Sequence, residues 1–186
     1  VIFFYYIVPK KYQWAVLLVS SYAFYLYSGI ENVFFIIGTT VFTYLSALLM
    51  QKMRDKNQKS IDALGKDITL EQKREMKKAV AKKIHTVQVL TVLVNLGVLA
   101  CLKYLNLFIG SANDLFTLFR WDASIPFVNL IVPLGLSYYT FNSIGYLIDI
   151  GRGKYAAERH FGKFALFVSF FPAIVQGPLN RFGDVG

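Results

Sequence analysis

Four sets of polar residues sit inside or beside apolar runs, and these are the places where the chain could do chemistry. Pro133-Leu134-Gly135 leads into Ser137, Tyr138, Tyr139, Thr140, Phe141 and Asn142. Proline removes a backbone donor and glycine admits a close neighbour, either a packed helix or a ligand. Asp149 and Arg152 stand three apart, a spacing at which an ion pair on a helix would account for both. Phe171-Pro172 and Gln176-Gly177-Pro178 place two prolines six apart, which argues against a straight helix. The backbone groups so released must be satisfied by protein, water or substrate. Asn180-Arg181 puts a cation just past that break, suited to holding a phosphate or carboxylate. Polar groups at membrane depth are costly, so they mark either function or paired structure.

The elements that must position these residues are apolar and long. Of 186 residues, 55% are hydrophobic, and charges are concentrated between uncharged runs. A membrane helix needs about 20 apolar residues. Runs that approach or exceed this occur at 12–30, 32–51, 84–102, 123–148 and 164–180, and 1–9 reads as the end of a cut span. They are too long and too evenly apolar for barrel strands, which alternate over about 10 residues. The expected fold is all-α and multi-spanning, within one incomplete transmembrane domain, 1–186. The prolines around 123–148 also allow a broken or re-entrant path.

Charge orients these spans. The segment Lys52–Lys83 holds eleven basic and five acidic residues, a net of +6 out of the chain's +9. With this segment expected as a cytoplasmic loop, seventeen basic residues fall on its side. Only Lys103 and Arg120, in an expected opposite loop over 103–122, fall on the other. That partition follows the positive-inside rule. No aromatic residues interleave with the basic cluster, so a nucleic-acid partner is not expected. Membrane lipids are, because juxtamembrane cations are drawn to anionic headgroups. Thr69 and Gln72 have the spacing of a capping box. It predicts a surface helix over Leu70–Lys83 that runs into the next span, with Leu70, Met76, Val80 and Ile84 on one apolar face.

The remaining reactive side chains are few. Cys101 is alone in an apolar run, so neither a disulfide nor a zinc spacing arises, and no metal site is expected. His85 follows Lys82 and Lys83, and His160 follows Arg159; both read as boundary or surface residues. No n-region or cleavage site precedes the first apolar run, so no signal peptide is expected.

The order of the polar sets is more specific than any one of them. PLGLSYYTFNSIGYLIDIGRG, a basic turn, then FALFVSFFPAIVQGPLNR resembles the central signature of the membrane-bound O-acyltransferases. The likeness is greatest to the bacterial branch that includes alginate O-acetyltransferases and D-alanyl transfer proteins. Pro133, Gly135, Ser137, Tyr139, Thr140, Phe141, Tyr146, Asp149, Arg152, Gly153, Phe170, Phe171, Pro172, Gly177, Pro178 and Arg181 carry it. Pro9, Trp14, Tyr22 and Tyr25 add a looser likeness. FVSFFP with QGPLNR leans towards the acetyltransferases.

The resemblance implies an N-terminal and central part of a helical funnel in a bacterial plasma membrane. It implies acetyl transfer to hydroxyls of a cell-surface polysaccharide, with no bound cofactor. The donor, as substrate, would be acetyl-CoA or another acyl thioester, brought free or on a carrier protein. A further partner that takes the acyl group onward is compatible with it. The general base implied is a histidine expected beyond Gly186, so no catalytic residue is assigned here. Tyr139, Asn142, Gln176 and Arg181 are expected to line the substrate tunnel. Pro133, Gly135, Asp149, Arg152, Pro172, Gly177 and Pro178 are expected to shape the motif around it. The alternatives are D-alanyl transfer to teichoic acid and, from a different class, a transporter, since broken helices also build transport sites.

Overall fold

Most of the apolar runs are helices where the structure describes them, but 124–127, within the run expected as a span over 123–148, is irregular backbone, and the next described helix begins at Leu136. The computed structural model describes residues 6, 8–64, 69–119, 121, 124–127 and 135–170. After a short 3-10 turn at Lys10–Tyr12 come α1 (Gln13–Ser28), α2 (Ile30–Ala63), α3 (Leu70–Leu118), α4 (Leu136–Gly151) and α5 (Phe161–Ser169). Among the described residues there is no strand. Val33–Ala63 of α2 and the whole of α3 are long and apolar enough to cross a membrane. Helices and composition together are those of a membrane protein.

Within the basic segment expected as a loop, 52–63 and 70–83 are helical. α2, with 34 residues, continues to Ala63 and α3, with 49, begins at Leu70, so the two extend roughly 51 and 74 Å. Nothing between Lys52 and Ala63 stops a helix, because Lys, Arg, Gln and Met propagate one well and no Gly or Pro intervenes. Side-chain bonds at i,i+4 reinforce it: Gln51 Nε2 donates to Asp55 (2.8 Å) and Gln58 Nε2 to Asp62 (2.8 Å). The capping box forms as its spacing predicts. The Gln72 N–H donates to Thr69 Oγ1 (3.3 Å), and the Thr69 N–H donates to Gln72 Oε1 (3.1 Å). The apolar face of 70–84 is covered only at its far end: Ile84 is buried, whereas Leu70 is 79% exposed.

The expected loop over 103–122 is also largely helix, since α3 runs on to Leu118. Leu105, Leu107, Phe108 and Ile109 extend its apolar pattern, and Gly110 alone does not break it. Beyond the helix the chain is tied back at Asn113. Its side chain donates to the Ile125 carbonyl (2.9 Å) and accepts from the Ile125 N–H (2.8 Å).

α2 is the shared neighbour of the other four helices, and α4 lies against α2, α3 and α5. The buried positions of α4 (136, 139–140, 142–143, 146–147 and 150) recur every three or four residues, which turns one wide face inward. That face joins Tyr25, Ile36, Met50, Ile84, Leu99 and Phe164 in one core.

Glycine is required at both ends of α4. Gly135, its N-cap, has φ +73°, and Gly153, just past its end, has φ +74°. Both lie in the left-handed region, which other residues enter at a cost. At the far end the Gly153 N–H bonds the Ile150 carbonyl (2.9 Å) and the Lys154 N–H bonds the Asp149 carbonyl (3.0 Å). This is a Schellman closure. It swings Lys154 back over the last turn, where its Nζ lies 3.5 Å from the Asp149 carboxylate. Tyr155 Oη donates to the same carboxylate. Asp149 is thus paired with Lys154 rather than with Arg152, which is the exposed C-cap.

Arg54 of α2 completes this end of α4. Its Nη2 donates to the carbonyls of Ile150 (2.9 Å) and Gly151 (3.1 Å), a cation where the helix dipole is negative. A Cβ on Gly153 would lie 3.4 Å from that guanidinium. That is ordinary contact, so Gly153→Ala should cost about 1–2 kcal/mol from backbone strain alone. Gly153→Asn should cost less, since Asn tolerates this conformation. Thermal denaturation of the full-length protein in detergent reads the order: parent, then Asn, then Ala.

Candidate functional site

Inside the bundle, polar atoms accumulate without hydrogen-bond partners. Tyr25 Oη, Thr40 Oγ1, Asn95 Oδ1, Tyr139 Oη, Ser143 Oγ and both side-chain heteroatoms of Asn142 are buried and unpartnered among the described residues. Most buried polar groups in folded proteins are satisfied, so a group of such atoms calls for an explanation. These come from four helices: α1, α2, α3 and α4.

Each arrives by a local rule. Tyr139 and Asn142 stand one turn apart on α4 and share its inward face, with Ser143 beside them. Tyr25 enters from α1 and is completely buried. Its phenol is close enough to those of Tyr22, Tyr138 and Tyr139 to interact electrostatically. Tyr22 in turn hydrogen-bonds Ser169 at the end of α5. Between α2 and α3, Asn95 Nδ2 donates to the Thr91 carbonyl (2.9 Å) and, at 3.4 Å, to Thr43 Oγ1. The Asn95 carbonyl oxygen is left over.

Such a wall offers phenol, amide and hydroxyl groups, which both donate and accept. It suits an uncharged polar guest: a sugar hydroxyl, or the carbonyl of an ester or thioester. It contains no group that titrates near neutrality, so it can bind and orient but supplies no general base. His85 and His160 are both exposed, and the His160 ring stands edge-on to Trp14 at 5.0 Å. Among the described residues no three His, Cys, Asp or Glu are grouped to hold a metal ion.

Of the expected tunnel residues, the structure brings Tyr139 and Asn142 onto one buried face. Gln176 and Arg181 lie outside the described residues, as do Pro133, Pro172, Gly177 and Pro178. Gly135, Asp149 and Arg152 sit at the two ends of α4, away from its buried middle. Sequence reasoning missed Tyr25, Thr40, Asn95 and Ser143. A signal existed for Asn95, an amide in the middle of an apolar run. Threonine and serine leave none, because their hydroxyls usually bond back to their own helix, as Thr91 does to the Val87 carbonyl (2.8 Å).

The segment after α4 is pinned to this bundle. Tyr44 Oη donates to the Arg159 carbonyl (2.6 Å), the Ala157 N–H to Gln51 Oε1 (3.3 Å) and the Glu158 N–H to Tyr146 Oη (2.9 Å). Phe164 then stacks against Tyr146 (4.7 Å between ring centres) and Tyr44 (5.7 Å). The turn and α5 are therefore held by aromatic side chains of α2 and α4.

The chain is similar to the probable alginate O-acetylase AlgI of Pseudomonas aeruginosa, 33% identical over 183 residues, covering 97% of this chain and 30% of the relative. It is 34% identical to the protein of the same name from Azotobacter vinelandii, over 97% of this chain and 31% of that one. A peptidoglycan O-acetyltransferase of Helicobacter pylori is 26% identical over 139 residues, covering 57% of this chain and 25% of the relative. The chain thus spans about 30% of the length of the alginate O-acetylases it matches. No family model and no solved structure matches it.

Proposed function

We propose, from the premise that this chain is a membrane-bound O-acyltransferase-like segment, that the whole protein transfers acetyl groups to hydroxyls of a cell-surface polysaccharide. The observation that carries this is the alignment over 97% of the chain with proteins named for alginate O-acetylation. The likeness extends well beyond the polar signature. The relatives' names favour acetyl over D-alanyl transfer. The peptidoglycan relative widens the acceptor to glycan strands generally.

In this reading the protein is a multi-pass component of a bacterial plasma membrane, its basic ends of α2 and α3 cytoplasmic. The donor is an acyl thioester. The acceptor hydroxyl attacks the thioester carbonyl, a C–O bond forms, the C–S bond breaks, and the hydroxyl proton passes to a base as the thiol leaves. The base belongs to a part of the protein outside this chain. Tyr139 and Asn142, with Tyr25 behind them, hold the reacting groups by hydrogen bonds in a site closed to water. Positioning of this kind is a large share of catalysis. Gln176 and Arg181 are assigned to the same role from the sequence signature, Arg181 because a guanidinium suits the phosphate or carboxylate of a donor.

The test is a deletion strain complemented with the full-length gene. Loss of polymer-bound acetyl on deletion, restored by the parent, is the expected result. Retention of acetyl with loss of D-alanyl esters would overturn the acetyl reading. Complementation with Arg181→Ala should lower acetylation about tenfold or more, as loss of a charge-assisted contact does, with normal membrane insertion. Full acetylation by a stably expressed Arg181→Ala protein would remove Arg181 from the site.

A further inference from the structure

A second feature lies at the basic end of α2, outside the polar wall. Lys52, Lys56 and Lys59 line one side of a groove of about 680 Å³, and Arg159 lines the other. Asp55 is the one acidic side chain in the lining. One of its carboxylate oxygens is engaged by Gln51 (2.8 Å). Among the described residues none of the four cations forms an ion pair. The far wall is built rather than accidental, because Tyr44 and Gln51 fasten the backbone at Arg159 and Ala157 to α2.

The same helix face changes character at Lys52. Reading back from the lysines at intervals of three and four residues leads to Leu49, Leu45 and Phe42. These are exposed, Leu45 at 58% and Leu49 at 48%. One continuous face therefore presents apolar side chains along its length and clustered cations at its end. A soluble phosphate ester gains nothing from the apolar part. A molecule with a phosphate head and hydrocarbon tails uses both.

We propose that this groove seats an anionic phospholipid, its headgroup phosphate among Lys52, Lys56, Lys59 and Arg159 and its acyl chains along Phe42, Leu45 and Leu49. The lipid would brace the turn over 152–160 against α2 and so stiffen the end of α4. The assignment does not depend on acyl transfer and stands or falls separately from it.

Native mass spectrometry of the full-length protein, delipidated in detergent and titrated with phosphatidylglycerol or phosphatidylcholine, tests it. Lys52→Gln, Lys56→Gln and Lys59→Gln together should weaken the first phosphatidylglycerol about tenfold or more, since each juxtamembrane cation contributes. An equal loss of charge at the exposed Lys77, Lys78 and Lys82, which do not line the groove, each changed to glutamine, should weaken the first phosphatidylglycerol clearly less than the groove substitutions do. Phosphatidylcholine should bind more weakly than phosphatidylglycerol to the parent. Equal loss in both triple variants would mean a diffuse surface charge and overturn the site. Displacement of the lipid by excess coenzyme A would overturn it in favour of a soluble phosphate ester. Should the groove triple variant fail to fold, Arg159→Gln alone gives the same reading, because the backbone carbonyl through which Tyr44 holds the turn is kept.

Discussion

Asn142→Leu in the full-length protein should raise thermal stability and yet lower acetyl transfer on the order of 100-fold, the size of effect seen when one preorganised donor is removed from a reacting centre. The two effects have one cause. Both polar atoms of the Asn142 amide are buried without a partner among the described residues, and an unsatisfied buried group costs roughly 1–3 kcal/mol. Leucine has the same branching and number of side-chain heavy atoms, and it removes that cost. A residue that weakens the fold is retained where it serves the reaction. Tyr139→Phe should follow the same pattern more weakly, since it removes a single unpartnered hydroxyl. Polymer-bound acetyl in a complemented deletion strain and the melting temperature of purified protein are the two readouts. A less stable Asn142→Leu protein with unchanged transfer would make the amide a packing residue and remove it from the site.

Phe164→Ala should cost about 3 kcal/mol of stability, near the lower end for a fully buried phenylalanine. The range applies to folding from water; within a bilayer the hydrophobic share falls while the loss of packing remains. Phe164 is completely buried and fills the space between Tyr146 and Tyr44. Without it both rings lose their support, and with them the bonds to the Glu158 N–H and the Arg159 carbonyl. Phe161, which meets Tyr44 edge-on at 5.2 Å, is exposed, and Phe161→Ala should cost under about 1 kcal/mol. Unfolding of the purified full-length protein in a denaturing detergent measures both. Equal losses would show that α5 is not held through Phe164.

Much of the helical layout was legible in the residues. The runs 12–30, 32–51 and 84–102 coincide with α1 and with parts of α2 and α3. The capping box at Thr69 marked the start of α3 to the residue. The ends of the two long helices were not legible, because hydropathy reports where lipid is tolerated and not where a helix stops. Charged Lys and Arg side chains leave the apolar run but continue the backbone hydrogen bonding, so α2 and α3 outlast their apolar windows. The site was half legible. Tyr139 and Asn142 were singled out by polarity within an apolar run, whereas Tyr25 and Asn95 became part of the wall only through the helices that face them.

By itself the sequence determined the all-helical class, the concentration of positive charge at one end of α2 and α3, and the resemblance that names the chemistry. These depend on residue type and near-neighbour spacing, which the chain carries wherever it goes. Tertiary structure decided the partners. Arg54 closes a helix end 96 and 97 residues away, Lys154 takes the place beside Asp149 expected of Arg152, and Tyr25 meets Tyr139 across the core. A polar side chain in a bilayer needs a partner but does not specify which. Only the packing of one helix against another makes that choice.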